Sequence, residues 1–277
     1  MNSLKCQCTV IVPNTTSPYM IAKITAAGAS AVIQHGDSWK EADASLCEEV
    51  LAKDPTGVYV PPFDHENVWQ GNSTMIAELQ QQFEEKGEDK PDALICSVGG
   101  GGLFSGVMLG LDKAGWHDTR VLAVETQGAD SLHSALEAGE LVSLDEITSI
   151  ASSLGAKRVC EKAYEYARRP NVKSVVLRDA EAAMGCWRLA DDERMMVESA
   201  CGVSVALCYD GRLKKLLPEL TKESKVVVVV CGGSNVTLEL LMQYREKYGW
   251  IEREMTGNKG VPSTVAVDGL GTNGYRD

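Results

Sequence analysis

Short apolar runs alternate with stretches of helical spacing along most of this chain. Cys8-Thr-Val-Ile-Val-Pro13 is a β-branched run closed by proline, and Ser17 to Ala27 then carries Met20, Ile21 and Ile24 at helical spacing. Gly28 ends that helix, Ala31-Val-Ile33 predicts the next strand, and Trp39 to Ala52 reads as a helix rich in Glu and Ala. Pro61-Pro62 breaks regular structure and marks a domain junction nearby. Beyond it the pattern predicts a helix from about Asn72 to Glu85, a strand over Ala93–Val98, a helix over Leu103–Ala114, a strand over Val121–Glu125 and a helix over Ser131–Ala138. Lys173–Leu177 is strand-like, Asp179 is placed to cap a helix reaching Leu189, and Glu198–Tyr209 has the small-residue pattern of a buried helix. Five consecutive valines, Val226–Val230, predict a central strand covered on both faces, and a helix to about Tyr248 follows.

Strands alternating with helices predict an α/β fold: an open, parallel, twisted sheet with helices on both faces. The expected units are residues 1–69, a small α/β piece; 70–250, a larger domain; and 251–277, a loose tail where Gly, Thr and Asn accumulate without periodicity.

Charge and cysteine usage narrow the function classes. The formal net charge of −12 argues against nucleic acid and anionic membrane as partners, because phosphate binding needs clustered Lys and Arg. No apolar run approaches the ~20 residues of a membrane helix, and Met1–Cys8 has no signal core. Nine cysteines without regular spacing then read as reduced thiols of a cytoplasmic protein. Cys6 and Cys8 have no second Cys or His pair at ligand spacing, so they do not predict a metal site.

Two glycine turns carry the chemistry. Ala93-Leu-Ile-Cys-Ser-Val-Gly-Gly-Gly-Gly102-Leu103 runs from a strand end through four glycines into a helix. Missing Cβ atoms let several backbone amides converge on an anion, and the helix N-terminus favours negative charge there, so phosphate is the natural guest. A tight packing turn is the plainer alternative. No Gly-Lys-Ser/Thr follows, which excludes a Walker loop. The dinucleotide frame fails at its third glycine, although Glu125 closes the next strand about where a ribose-binding acid belongs. The second turn, Val230-Cys-Gly-Gly-Ser-Asn235, also ends a strand, where open α/β sheets place ligands. Cys231 there reads equally well as an inert thiol.

Taken together, several segments resemble one family. They are Ser97-Val-Gly-Gly-Gly-Gly-Leu103, Val121–Thr126, Ile147-Thr-Ser-Ile-Ala151 with Leu154-Gly155, Glu198-Ser-Ala-Cys-Gly202 and Val229-Val-Cys-Gly-Gly-Ser-Asn235. Ile11-Val-Pro-Asn-Thr-Thr16 and Tyr59-Val-Pro-Pro-Phe-Asp64 fit as well. In order, from about Cys8 to Gly249, they resemble the L-serine dehydratase/L-threonine deaminase group of fold-type II pyridoxal-phosphate enzymes, whose large domain is of the tryptophan synthase β kind. The resemblance implies pyridoxal 5'-phosphate as cofactor, held at its phosphate by Gly99, Gly100, Gly101, Gly102 and Leu103, with Cys231 facing the pyridine nitrogen. It implies a monovalent cation, potassium, at Glu125 and the carbonyls of Ala129, Leu154 and Ala156. It further implies a homodimer acting on a small amino acid, with serine yielding pyruvate and ammonia, and threonine yielding 2-oxobutyrate and ammonia.

In that family a lysine in a Ser-x-Lys-x-Arg setting tethers the cofactor and removes the substrate α-proton. Together with a Ser-Ser-Gly-Asn-x-Gly loop for the substrate carboxylate, it lies upstream of the strand that begins here at Thr9. No lysine of this sequence has those surroundings. The expectation is therefore that no catalytic residue lies in this chain and that it has negligible dehydratase activity alone. The sequence leaves two origins open, an incomplete form of an active enzyme or a degenerate binding or dimerization module. A sister serine racemase is weakened by Cys231, and a nicotinamide oxidoreductase remains the rival from another class.

Overall fold

The computed structural model describes residues 6–252. The chain divides into two compact units between Pro62 and Phe63, earlier than the expected boundary at 69/70. The first unit is a parallel pair of strands, β1 (Thr9–Val12) and β2 (Ala31–Gln34), joined by helix α1 (Pro18–Ala26) and followed by α2 (Trp39–Ser45). Ser17 caps α1 by accepting from Met20 N, and Ser38 caps α2 by accepting from Glu41 N. The expected helix to Ala52 continues past Ser45 as a wide turn over Leu46–Val50 and a tight one over Leu51–Lys53.

The second unit holds α3 (Glu66–Glu85), β3 (Ala93–Ser97), α4 (Gly102–Ala114), β4 (Arg120–Thr126), α5 (Ser131–Ala138), α6 (Glu161–Ala167), β5 (Val172–Leu177), α7 (Asp179–Glu193), α8 (Ser199–Val205), α9 (Arg212–Leu216), β6 (Val226–Val228) and α10 (Leu238–Tyr248). Its four strands are all parallel in the order β5-β4-β3-β6. Successive strand residues point to opposite faces, and the two faces bury separate cores. Leu94, Cys96, Val121 and Ala123 pack with Phe104, Met108, Leu132 and Ala163 of α4, α5 and α6. Ala93, Ile95, Leu122 and Val124 pack with Ala182, Ala200 and Val203 of α7 and α8. Helices thus cover both faces, as the alternating pattern predicts.

Three readings change in detail. The valine run is a strand only over Val226–Val228 and lies at the sheet edge among the described strands, not at its centre. Its faces are covered, Val227 by one core and Val226 and Val228 by the other. An apolar β-branched run reports covered faces, and nothing in it reports a missing neighbour. Helix α3 begins at Glu66, well before Asn72, because the His65 ring accepts from Asn67 N and opens the helix there. At α7 the cap position falls on Arg178, and Glu181 Oε2 accepts Arg178 N at 2.8 Å. Asp179 is instead the first helical residue, and its carboxylate turns to a neighbouring loop.

The expected loose tail falls mainly on residues 253–277, outside the described residues. Ile251, assigned to that tail, is buried against Ala180 and Met184 of α7. Among the described residues no helix is long and apolar enough to cross a membrane.

Candidate functional site

The site grows from the carboxyl ends of β3 and β6, which pair in parallel with Ile95 opposite Val228. Beyond β3, Val98 N still donates to Val124 O, and the chain then leaves the sheet through Gly99–Gly101 into α4. Gly101 has φ +96°, a conformation that side chains disfavour, and an added Cβ would lie 2.5 Å from Ala163 Cβ and 3.0 Å from Cys160 Sγ. Gly100 and Gly102 do not have positive φ; they are glycine because Phe63 sits on them. A Cβ at Gly100 would lie 2.3 Å from the Phe63 ring, and one at Gly102 would lie 2.9 Å from Phe63 Cα.

Packed in this way, the loop presents its amides. Gly100 O accepts from Cys160 N and Gly101 O from Ser105 N. Among the described residues none of the amides from Gly99 to Phe104 donates to a protein acceptor, although Gly101, Gly102 and Phe104 are buried. Three of these six residues are buried, and consecutive amides left open at a helix N-terminus suit a phosphate.

A second wall runs through residues 147–156. A Cβ on Gly99 would lie 3.1 Å from Leu154 Cα and 3.3 Å from Ser153 O. Ser149 Oγ bonds Thr126 Oγ1 at 2.8 Å and Asp179 Oδ1 at 2.6 Å, while Ile150 N donates to Asp179 Oδ2. Asp179 therefore fixes this loop. Ser152 Oγ accepts Asn235 Nδ2 at 3.2 Å, which joins the loop to the turn after β6.

That turn carries Cys231, exposed at its surface and yet hemmed in from behind. Burial pushes its thiol up to about 11, with Cys201 and Glu198 adding to the rise, so it is a neutral thiol at physiological pH. Glu198, the cap residue of α8, holds the turn. Glu198 N donates to Gly232 O at 2.9 Å, Asn235 N donates to Glu198 Oε2 at 3.0 Å, and the Glu198 side chain fills the space a Cβ on Gly233 would need.

Glu125 lies at the end of β4, fully buried. Its Oε1 accepts Leu132 N and its Oε2 accepts His133 N, each at 2.9 Å, so it closes the N-terminus of α5. Burial pushes its carboxyl up to about 8, against the pull of those two amides. Ala129 follows in a tight turn, with its N donating to Thr126 O, and Ala156 N donates to Leu154 O at 2.7 Å. No hydrogen bond joins the Glu125 carboxylate to Leu154 or Ala156, and among the described residues no three His, Cys, Asp or Glu side chains gather as metal ligands.

Comparison with known proteins gives this geometry a lineage. The sequence profile of the family described as "Pyridoxal-phosphate dependent enzyme" matches residues 2–232. An L-serine dehydratase of Saccharomyces cerevisiae (strain AWRI1631) is 42% identical over 246 residues, covering 86% of this chain and 72% of its own. The chain belongs to the pyridoxal-phosphate-dependent enzymes, in the L-serine dehydratase group. The human L-serine dehydratase/L-threonine deaminase is 39% identical over 248 residues, covering 88% of this chain and 74% of its own. Among solved structures, a fungal L-serine ammonia-lyase from Rhizomucor miehei superposes with a TM-score of 0.79 at 37% identity, covering 89% of this chain and 76% of that one. The parallel sheet and the glycine loop at the end of its inner strand β3 accordingly belong to a pyridoxal-phosphate enzyme.

Sequence reasoning named the glycines, Cys231 and Glu125 but assigned no site role to Phe63, Ser152, Glu198 or Asn235. Glu198, Asn235 and Phe63 lay inside the quoted motifs. Their long-range hydrogen bonds and contacts have no local periodic signature that could have singled them out.

Proposed function

We propose that this chain is by descent an ammonia-lyase of L-serine and L-threonine, in which Gly99–Leu103 bind the phosphate of pyridoxal 5'-phosphate and Cys231 faces its pyridine nitrogen. The observation that carries this reading is the row of acceptor-free amides from Gly99 to Phe104. A dianionic phosphate supplies the acceptors these donors lack, and the α4 N-terminus adds favourable potential. When bound, the cofactor supplies the electron sink for bond cleavage at the amino-acid Cα. A neutral Cys231 thiol leaves the ring nitrogen unprotonated, which moderates that sink and suits loss of a β-hydroxyl. Overall, serine yields water and, after hydrolysis, pyruvate and ammonia; threonine yields 2-oxobutyrate.

Glu125 and the carbonyls of Ala129, Leu154 and Ala156 would hold potassium beside this loop. Glu125 is fully buried with its carboxyl raised to about 8, so it is mostly neutral near pH 7 unless a cation sits beside it, and potassium would supply that charge. Nine cysteines without regular spacing fit a reducing cytoplasm, and a homodimer follows from the family reading.

Because none of its lysines lies in the tethering context, the polypeptide Met1–Asp277 acting alone turns over serine negligibly. Two measurements test the assignment. Pyridoxal phosphate binds with the absorbance of the free aldehyde and is competed by inorganic phosphate, and serine-dependent pyruvate stays at background. Tight NAD binding without affinity for pyridoxal phosphate overturns the reading, and ordinary serine turnover overturns the inactivity. Sedimentation of the purified chain as a monomer removes the dimer.

A further inference from the structure

The glycine loop cannot fix itself. Four glycines bring no side chains, and the loop's amides make no bonds to protein, so whatever holds their direction lies outside. Cys160 N holds one carbonyl, Ser153 and Leu154 back Gly99, and Ala163 backs Gly101. Phe63 stands against two of the glycines, with its ring over Gly100 and its backbone against Gly102. Phe63 is itself held from several sides. Its carbonyl accepts Trp69 Nε1 at 2.9 Å and His65 N at 3.3 Å, two prolines precede it, and its ring joins the core under α4.

We propose that Phe63 is the positioning residue of the phosphate loop: by occupying the Cα side of Gly100 and Gly102 it keeps the amides of Gly99–Phe104 turned outward for the cofactor phosphate. This rests on the phosphate reading given above and deepens it. Glycine is the residue with the most backbone freedom to lose, so a loop already held by an aromatic ring binds phosphate without ordering itself at that moment. Neither Gly100 nor Gly102 has the backbone angle that demands glycine; the requirement at Gly100 is imposed by the Phe63 ring and disappears with it, whereas at Gly102 it is imposed by Phe63 Cα, carbonyl oxygen and Cβ and remains in any Phe63 variant with a Cβ.

The test compares ligands with and without the phosphate on the full chain. Phe63→Ala lowers affinity for pyridoxal phosphate and for inorganic phosphate by about tenfold, the change expected from freeing roughly one backbone residue, while pyridoxal without phosphate changes little. Phe63→Leu, which keeps most of the apolar volume, recovers part of the loss and guards against simple misfolding, as does circular dichroism. Gly100→Ala abolishes phosphate binding in the parent chain but adds no loss in the Phe63→Ala background, where the space is empty. Equal losses for pyridoxal phosphate and pyridoxal, additive losses in the double variant, or a fall in melting temperature with unchanged affinities overturn the role of Phe63. Failure of the unaltered chain to bind either phosphate ligand overturns instead the underlying phosphate reading.

Discussion

Helix α4 can lie where it does only because three of its residues have no side chain, and this gives a sharp test. Gly102, Gly106 and Gly110 recur every fourth residue on one face, toward Phe63 and α3. A Cβ at Gly106 would fall 2.3 Å from Asn72 Cβ, 2.8 Å from Trp69 O and 3.1 Å from Asn72 C. Two of those atoms are α3 backbone, so Gly106→Ala forces the helices apart. Overpacking of this kind costs about 1–3 kcal/mol. Replacing glycine by alanine inside a helix returns about 1 kcal/mol, leaving a net destabilisation of up to about 2 kcal/mol.

Gly71, in the interior of α3, is the matched control, because it is exposed and an added Cβ meets nothing within 4 Å. Gly71→Ala keeps only the propensity gain and stabilises by about 1 kcal/mol. At about 2–4 °C per kcal/mol, calorimetry should show the Gly71 variant melting a few degrees higher and the Gly106 variant a few degrees lower. Since α4 opens with the glycine loop proposed to hold the phosphate, pyridoxal phosphate affinity is expected to fall in the Gly106 variant alone. If both substitutions raise the melting temperature equally, the close approach of α3 and α4 is wrong, and so is the placement of the loop that depends on it.

Three further outcomes follow from the site. Cys231, with its thiol raised to about 11, has about one thiolate in a thousand at pH 8, so its alkylation rate should climb about tenfold per pH unit up to pH 10; a plateau near pH 8.5, read by mass spectrometry, contradicts this. Glu125→Gln puts an amide N–H2 where one α5 amide needs an acceptor, costing about 1–3 kcal/mol, and should erase any rise in melting temperature given by potassium over tetramethylammonium at equal ionic strength. A surviving potassium effect places the cation elsewhere. Glu198→Ala strips Asn235 N of its acceptor and should cost about 1 kcal/mol, with weaker pyridoxal phosphate binding, whereas Glu198→Gln keeps one oxygen and loses less. Equal behaviour of the two variants removes the hydrogen bond from the argument.

What the sequence could reveal follows from the range of each signal. Strand and helix order was legible because periodicity is local, and α6 and α9 escaped because seven and five residues are too few to show a period. Val226–Val230 announced a strand but not its edge position, since the neighbour of a strand is decided elsewhere in the chain. The four glycines are the most instructive case. In sequence they read as one phosphate signature, yet in the structure they answer to separate demands. Gly99 is backed by Leu154, Gly101 takes a left-handed angle, and Gly100 and Gly102 make room for Phe63. None of these demands is the phosphate itself. The glycines leave the amides without protein partners, and the phosphate binding proposed for the loop draws on those amides. A motif of this kind is recognisable because several independent constraints coincide on one short segment, and for the same reason it conceals the partners, Phe63 above all, that impose them.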